Sequence, residues 1–178
     1  MKHLINELCF VSLSLLVASA CTKMPTQEDI IGKWSCLNYQ IIHYDQAGLR
    51  VSESLYTLPY DSHFIYYNPD GSIKKEFSRS DNNTTIVFSF SSDGKMEFIA
   101  TTFDSATNHE YKSRDVFHYE LTSTGTINFT LSDEGEQYEM PDSVTKIESF
   151  SPTELILFST VNDSEGEYHT ARYQLKRI

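Results

Sequence analysis

From residue 31 onward the chain is written in short runs of period two, and this pattern restricts its fold more than any other feature. In Thr84-Thr85-Ile86-Val87-Phe88-Ser89-Phe90 and in Ile127-Asn128-Phe129-Thr130-Leu131, apolar residues alternate with polar ones. Such alternation sends one face of a strand to a core and the other to water, and no long stretch carries the 3.6 period of an amphipathic helix. Turn-forming groups separate the runs: Asn68-Pro69-Asp70-Gly71, Ser92-Asp93-Gly94, Ser123-Thr124-Gly125, Asp133-Glu134-Gly135 and Ser164-Glu165-Gly166. Asp-Gly and its relatives supply the positive φ of tight hairpins, so neighbours in sequence become neighbours in the sheet, in an all-β antiparallel up-and-down meander of about 8–10 strands. One short helical turn precedes it, where Thr26 can cap and Asp29 stands three residues on.

A long meander has two edges to hide, and pairing its first strand with its last closes a barrel that hides both. The rival is a sandwich. Immunoglobulin-type sandwiches carry their tryptophan on a middle strand near a cysteine pair, whereas the sole tryptophan here, Trp34, opens the first run and no such pair exists. With an even strand count the last strand runs antiparallel to the first, which brings Arg177 beside Trp34. Tyr173, Leu175 and Arg177 share one face, so if the two apolar residues point inward the guanidinium follows them. Laid over the indole it makes a cation–π contact worth ~0.5–2 kcal/mol. The alternative leaves Arg177 in solvent near the terminus.

These residues resemble a known group. Ile31-Gly32-Lys33-Trp34, following a capped turn, is similar to the Gly-x-Trp start of lipocalins and of lipocalin-like domain lipoproteins of Gram-negative bacteria. The run from Ile147 to Leu157, an acidic turn and the run from Tyr168 to Ile178 are similar to the closing hairpin of those domains. The resemblance implies a lipocalin-like β-barrel over residues 28–178, with Gly32, Trp34 and Arg177 at its closure.

The opening residues have another character. Met1-Lys2-His3 leads into the apolar stretch from Leu8 to Ala18, which closes with Ala18-Ser19-Ala20-Cys21. A basic start, an apolar middle shorter than the ~20 residues of a membrane-crossing helix, and small residues at the end describe a signal peptide over residues 1–20. The cysteine at the cut resembles the lipobox of bacterial lipoproteins, although Ala18 stands where such signals usually place Leu. That resemblance implies a diacylglycerol on the Cys21 thiol, a further acyl chain such as palmitate on its amine, and a lipidated tether over residues 21–27. Two or more chains anchor a protein durably, at ~0.8 kcal/mol per buried methylene. Thr22, rather than Asp, follows the cysteine and by the same resemblance favours the outer membrane, in either leaflet. The alternative is an ordinary signal peptide cut after Ala20.

Composition narrows the functions. Lys2 and Glu7 cancel, so removing residues 1–20 keeps the net charge of −11. Such a surface repels phosphate backbones, which argues against a nucleic-acid partner. About 158 residues remain, enough for one domain with a core. With Cys9 discarded and Cys21 acylated, Cys36 has no partner for an internal disulfide; it reads as a small buried apolar residue, and no local basic cluster marks it as a catalytic thiol. His43, His63, His109, His118 and His169 lack zinc spacing, and the acidic turns do not match a calcium loop. No nucleophile elbow or phosphate-gripping glycine loop occurs, so no catalytic residue, metal or cofactor is assigned and the chain does not read as an enzyme. Asp104-Ser105-Ala106 and Asp142-Ser143-Val144 resemble a short O-glycosylation signal of some Gram-negative bacteria.

What fills the barrel decides the function. Eight strands leave room for side chains alone or for one small ligand. The chain has eleven Phe and eleven Tyr, and Phe64, Tyr66, Phe88, Phe90, Phe98, Phe117, Tyr119 and Tyr173 fall at alternating positions that can face inward together. They either pack as core or line an apolar pocket. Asn38 and Gln40 share the parity of Trp34, and on an unbent strand would add polar groups to that pocket. Two classes of function follow: a module that binds a small apolar or amphipathic ligand, or a filled barrel whose outer surface docks another envelope protein. A cavity of ~300 Å³ or more favours the first, and a packed interior the second.

Overall fold

A computed structural model describes residues 24–59, 61–79, 83–133, 136–139, 143–162 and 167–178. The leader, Cys21 and the first residues of the tether lie outside them, as do parts of the turns near residues 134 and 165. One helical turn, α1 (Gln27–Ile30), precedes twelve strands: β1 (Gly32–Tyr44), β2 (Arg50–Thr57), β3 (Asp61–Tyr67), β4 (Ile73–Arg79), β5 (Asn83–Phe90), β6 (Lys95–Asp104), β7 (His109–Leu121), β8 (Thr126–Asp133), β9 (Glu136–Glu139), β10 (Ser143–Phe150), β11 (Glu154–Asn162) and β12 (Tyr168–Arg177). At α1 the Asp29 carboxylate accepts bonds from the Thr26 backbone N–H and hydroxyl, both at 2.8 Å.

Every pairing is antiparallel, and eight strands close a ring in the order β1, β5, β6, β7, β8, β10, β11, β12 and back to β1. The remaining strands are outgrowths: β9 folds back on β8, and β2, β3 and β4 form a flap carried by β1. The meander therefore departs from strict sequence order at one place of consequence. One edge of β1 is shared, with Gly32 to Ser35 pairing β5 and Asn38 to Tyr44 pairing β2. The fork coincides with a register shift against β12 between Cys36 and Asn38, where Leu37 is the extra residue. Its carbonyl accepts from the Leu58 N–H at 2.8 Å, and the Pro59 carbonyl accepts from the Thr84 N–H at 3.0 Å, so the β2–β3 turn occupies the crotch of the fork and satisfies its backbone groups.

The bulge corrects one expectation. Trp34 and Cys36 face the interior, but past Leu37 the inward positions are Tyr39, Ile41 and His43, each opposite an inward residue of β12. One inserted residue reverses the faces of everything after it. Asn38 and Gln40 therefore point outward, where Asn38 donates to Gln174 Oε1 at 2.8 Å and Gln40 bonds Glu53.

The core gathers at one end of the ring. Ile30, Trp34, Phe90, Ile127, Leu155 and Leu175 are buried there with at most 2% exposure, and burying each contributes about 1.5–3 kcal/mol. Trp34 lies opposite Arg177 on β12 and Phe88 on β5, and its indole N–H donates to the Ile30 carbonyl at 2.8 Å. The guanidinium carbon of Arg177 stands 4.3 Å from the Trp34 ring centroid. Its terminal nitrogens donate to the carbonyls of Ile31 and Asp29, tying the last strand to the segment that enters the first. Gly32 holds φ at +131°, outside the range of other residues, and a Cβ there would meet Arg177 Nη1 at an ordinary 3.7 Å.

Two substitutions test this closure. Arg177→Met removes a cation–π contact and two hydrogen bonds to carbonyls, and should lower stability by about 1–3 kcal/mol. Gly32→Ala should cost a similar ~1–3 kcal/mol through backbone strain alone, since space for the methyl exists. Urea midpoints at unchanged slope measure both; wild-type midpoints in either variant would contradict the closure as described.

Candidate functional site

Beyond the packed end the interior opens. A cavity of about 260 Å³ lies among β5, β6, β7, β8, β10, β11 and β12. Phe88, Met96, Phe98, Phe117, Phe129, Leu157, Val161, Ala171 and Tyr173 give it an apolar wall, and Asp115, Ser143, Thr145, Ser159 and His169 add polar groups. The wall is ordered by its own contacts. Phe88 meets Phe98 edge-on at 5.2 Å and Tyr173 at 5.5 Å, while Phe117 meets Phe129 at 5.9 Å. Such edge-to-face pairs contribute ~0.5–1.5 kcal/mol each beyond area burial. The hydroxyls of Thr145 and Ser159 satisfy one another at 2.8 Å across β10 and β11. The volume falls just under the ~300 Å³ at which small-molecule sites usually begin. It suits a compact apolar molecule, or the apolar part of a larger one whose remainder projects from the mouth.

Of the eight aromatics singled out from alternation, Phe88, Phe98, Phe117 and Tyr173 line this cavity. Phe90 and Tyr119 do not. They are packed edge-on at 5.1 Å beneath it, with the Tyr119 hydroxyl donating to the Ser91 carbonyl at 3.0 Å. Phe64 and Tyr66 do not line it either, because β3 belongs to the flap outside the ring. There Phe64 stacks on Phe77 at 5.0 Å, and Tyr66 is 40% exposed. The residues that alternation left out include Met96, Phe129, Leu157 and Ala171. Ala171 shares the parity of Tyr173, and Leu157 sits opposite Tyr173 in register, so pairing β11 with β12 would have found both.

An aromatic stripe leads from the cavity onto the flap. Tyr173 stacks with Tyr39 at 5.8 Å, Tyr39 with Tyr56 at 4.2 Å, and Tyr56 meets Phe64 edge-on at 5.6 Å. Among the described residues no group of three or more His, Cys, Asp or Glu is placed to hold a metal ion. Asp104-Ser105-Ala106 sits at the exposed β6–β7 turn, where the Asp104 carboxylate accepts from the Ala106 N–H and the Thr107 hydroxyl. Asp142 lies outside the described residues.

No family model matches the chain, and no curated protein matches it. Among solved structures it is similar to bovine odorant-binding protein. The complex of that protein with a selenium-containing odorant matches over 86% of this chain and 73% of that one, at 12% identity and a TM-score of 0.41. Its complex with a natural ligand matches over 53% of this chain and 55% of that one, at 18% identity and a TM-score of 0.34, so this chain spans about half the length of that form. The siderocalin Ex-FABP matches over 84% of this chain and 74% of that one, at 11% identity and a TM-score of 0.37. At such scores the closed ring rests on the strand pairing of this chain itself.

Burial also sets the acid–base behaviour of the wall. The Cys36 thiol is pushed from 9.0 up to about 12 by burial, and its sulfur lies 3.3 Å from the Asn38 carbonyl. Burial likewise raises Tyr39, with Tyr56 and Tyr173 adding to the effect, and raises Tyr173, with Cys36 adding to it. Below pH 9 the thiol is protonated in folded and unfolded chains alike and costs nothing. Between 9 and about 12 the unfolded chain loses its proton while the folded chain keeps it, so stability falls as pH rises. The tyrosines extend the same trend above 10, their ordinary value. Urea midpoints should therefore decline steadily above pH 9, and Cys36→Val should delay the decline until the tyrosines titrate. A midpoint flat to pH 11 would contradict the buried thiol.

Proposed function

We propose that this protein is a lipid-anchored lipoprotein of the outer membrane whose lipocalin-like barrel binds a small apolar or amphipathic molecule. The observation that carries the reading is the cavity: an eight-stranded ring packed at the Trp34 end and open above it, with a wall that is mostly aromatic and aliphatic. A barrel made only to dock a partner through its outer surface needs no such apolar-walled space. Polar groups stand at intervals in the wall, with the Tyr173 hydroxyl placed to orient a guest. The anchor reading is supported by the leader and by Cys21, after which the sequence runs through the short polar stretch from Thr22 to Gln27.

Two experiments test the two halves. Ala171 is 4% exposed and faces the cavity, so Ala171→Leu places new methyl groups in the space a ligand needs. Displacement of an uncharged apolar fluorescent probe should show affinity at least tenfold weaker in this variant, with the thermal midpoint shifted by only a few degrees, since volume is added to a void. Unchanged probe affinity would place binding elsewhere. Mass spectrometry of the mature chain should find residues 1–20 removed and Cys21 acylated, and Cys21→Ser should move the protein from the membrane fraction to the soluble fraction. An unmodified terminus would remove the anchor from the account.

A further inference from the structure

The flap separates its charges by face. On the face continuous with the barrel interior, Lys75 and Arg79 flank Phe77 on β4, beside Phe64 and Tyr66 on β3. No Asp or Glu of the described residues falls on that face of β2, β3 and β4, whereas Glu53, Asp61 and Glu76 point to the other side. In a chain with a net charge of −11 this is a local reversal of sign. The two cations rest on rings. Lys75 Nζ lies 4.8 Å from the Phe77 centroid, and Arg79 Cζ lies 5.7 Å from Phe77 and 6.0 Å from Phe64. Among the described residues neither forms an ion pair, and each carries N–H donors suited to an anion. The aromatic stripe then leads inward across β3, β2 and β1 to Tyr173, four strand spacings or about 19 Å away. The cavity at its end holds Asp115, which repels an anion, and its 260 Å³ accommodates only part of a long apolar chain.

We propose that the guest is a long-chain amphiphile whose anionic head group, a carboxylate or a sulfate, is held on the flap by Lys75 and Arg79. Its tail follows the aromatic stripe past Tyr56 and Tyr39 to Tyr173, which lines the cavity. This rests on the cavity reading above and adds to it the charge, length and orientation of the ligand.

Tetradecanoate, hexanoate and tetradecanol, each titrated into the purified full chain against an uncharged apolar fluorescent probe, separate the two readings. The expected order is tetradecanoate first, with its advantage over tetradecanol shrinking as salt rises. Lys75→Gln with Arg79→Gln should weaken tetradecanoate roughly tenfold, a few-fold for each exposed charge, and leave tetradecanol unchanged. Lys146→Gln with Lys176→Gln, on the outer face of β10 and β12, is the charge-matched control and should leave both ligands unchanged. If the flap variant binds tetradecanoate as the wild type does, the head-group site is overturned while the cavity reading stands on tetradecanol. If neither fourteen-carbon ligand displaces the probe, the amphiphile proposal is overturned, and the cavity reading is decided separately by the probe's own affinity in Ala171→Leu. Binding confined to phosphatidylglycerol vesicles, with none to monomeric tetradecanoate, overturns the proposal in favour of a lipid surface, and hexanoate binding as tightly as tetradecanoate overturns the tail path.

Discussion

The pairing of the first strand with the last is the contact on which the rest of the structure depends. It runs from Trp34 opposite Arg177 to Tyr44 opposite Tyr168, almost the whole length of β1. Without it the sheet would keep two open edges and its inner face would lie in water. With it, Trp34 and Leu175 are fully buried, and Arg177 caps the indole while holding the carbonyls that lead into β1. Closure at this end fixes the radius of the ring, and the radius leaves space above the Phe90–Tyr119 floor that nearby side chains do not fill.

The second determinant is the fork at Leu37. A regular β1 would pair one neighbour along each edge; the extra residue lets its first part join β5 and its second part join β2. The ring is thereby reduced to eight strands, and three strands are set aside as a flap that shares the interior's aromatic face through Tyr39 and Tyr56. One bulge thus makes both a small cavity and a surface leading into it. Met24 packs against Gly125 near the β7–β8 turn, so the described chain begins at the packed end of the barrel, away from the polar wall formed by Ser159 and His169.

Much of this is readable from residue types. Period-two runs and Asp-Gly turns are enough to specify an antiparallel all-β chain, because each follows from local backbone and burial requirements. Strand parity is enough to set Arg177 beside Trp34 once first and last strands are paired. The faces beyond Leu37 were not readable, since a bulge leaves no residue signature in Cys36-Leu37-Asn38 and yet inverts all that follows it. The site was legible in half. Alternation tells which residues share a face of one strand, so Phe88 goes with Phe90 and Phe117 with Tyr119, but it does not tell which strands leave the ring, so it admits Phe64 and Tyr66 as well. Nor does it give height along the barrel, which separates Phe90 and Tyr119 in the floor from Phe117 in the wall.

The central claim is that an apolar molecule occupies the inside of this ring rather than its surface. Isotope-edited NMR of the labelled chain with an unlabelled apolar ligand measures that directly through intermolecular proton contacts. The account predicts contacts to the rings of Phe88, Phe98, Phe117 and Tyr173 and to the Ala171 methyl, with none to Trp34. Contacts confined to outward residues such as Val144 and Phe158, or none at any concentration tested, would contradict it.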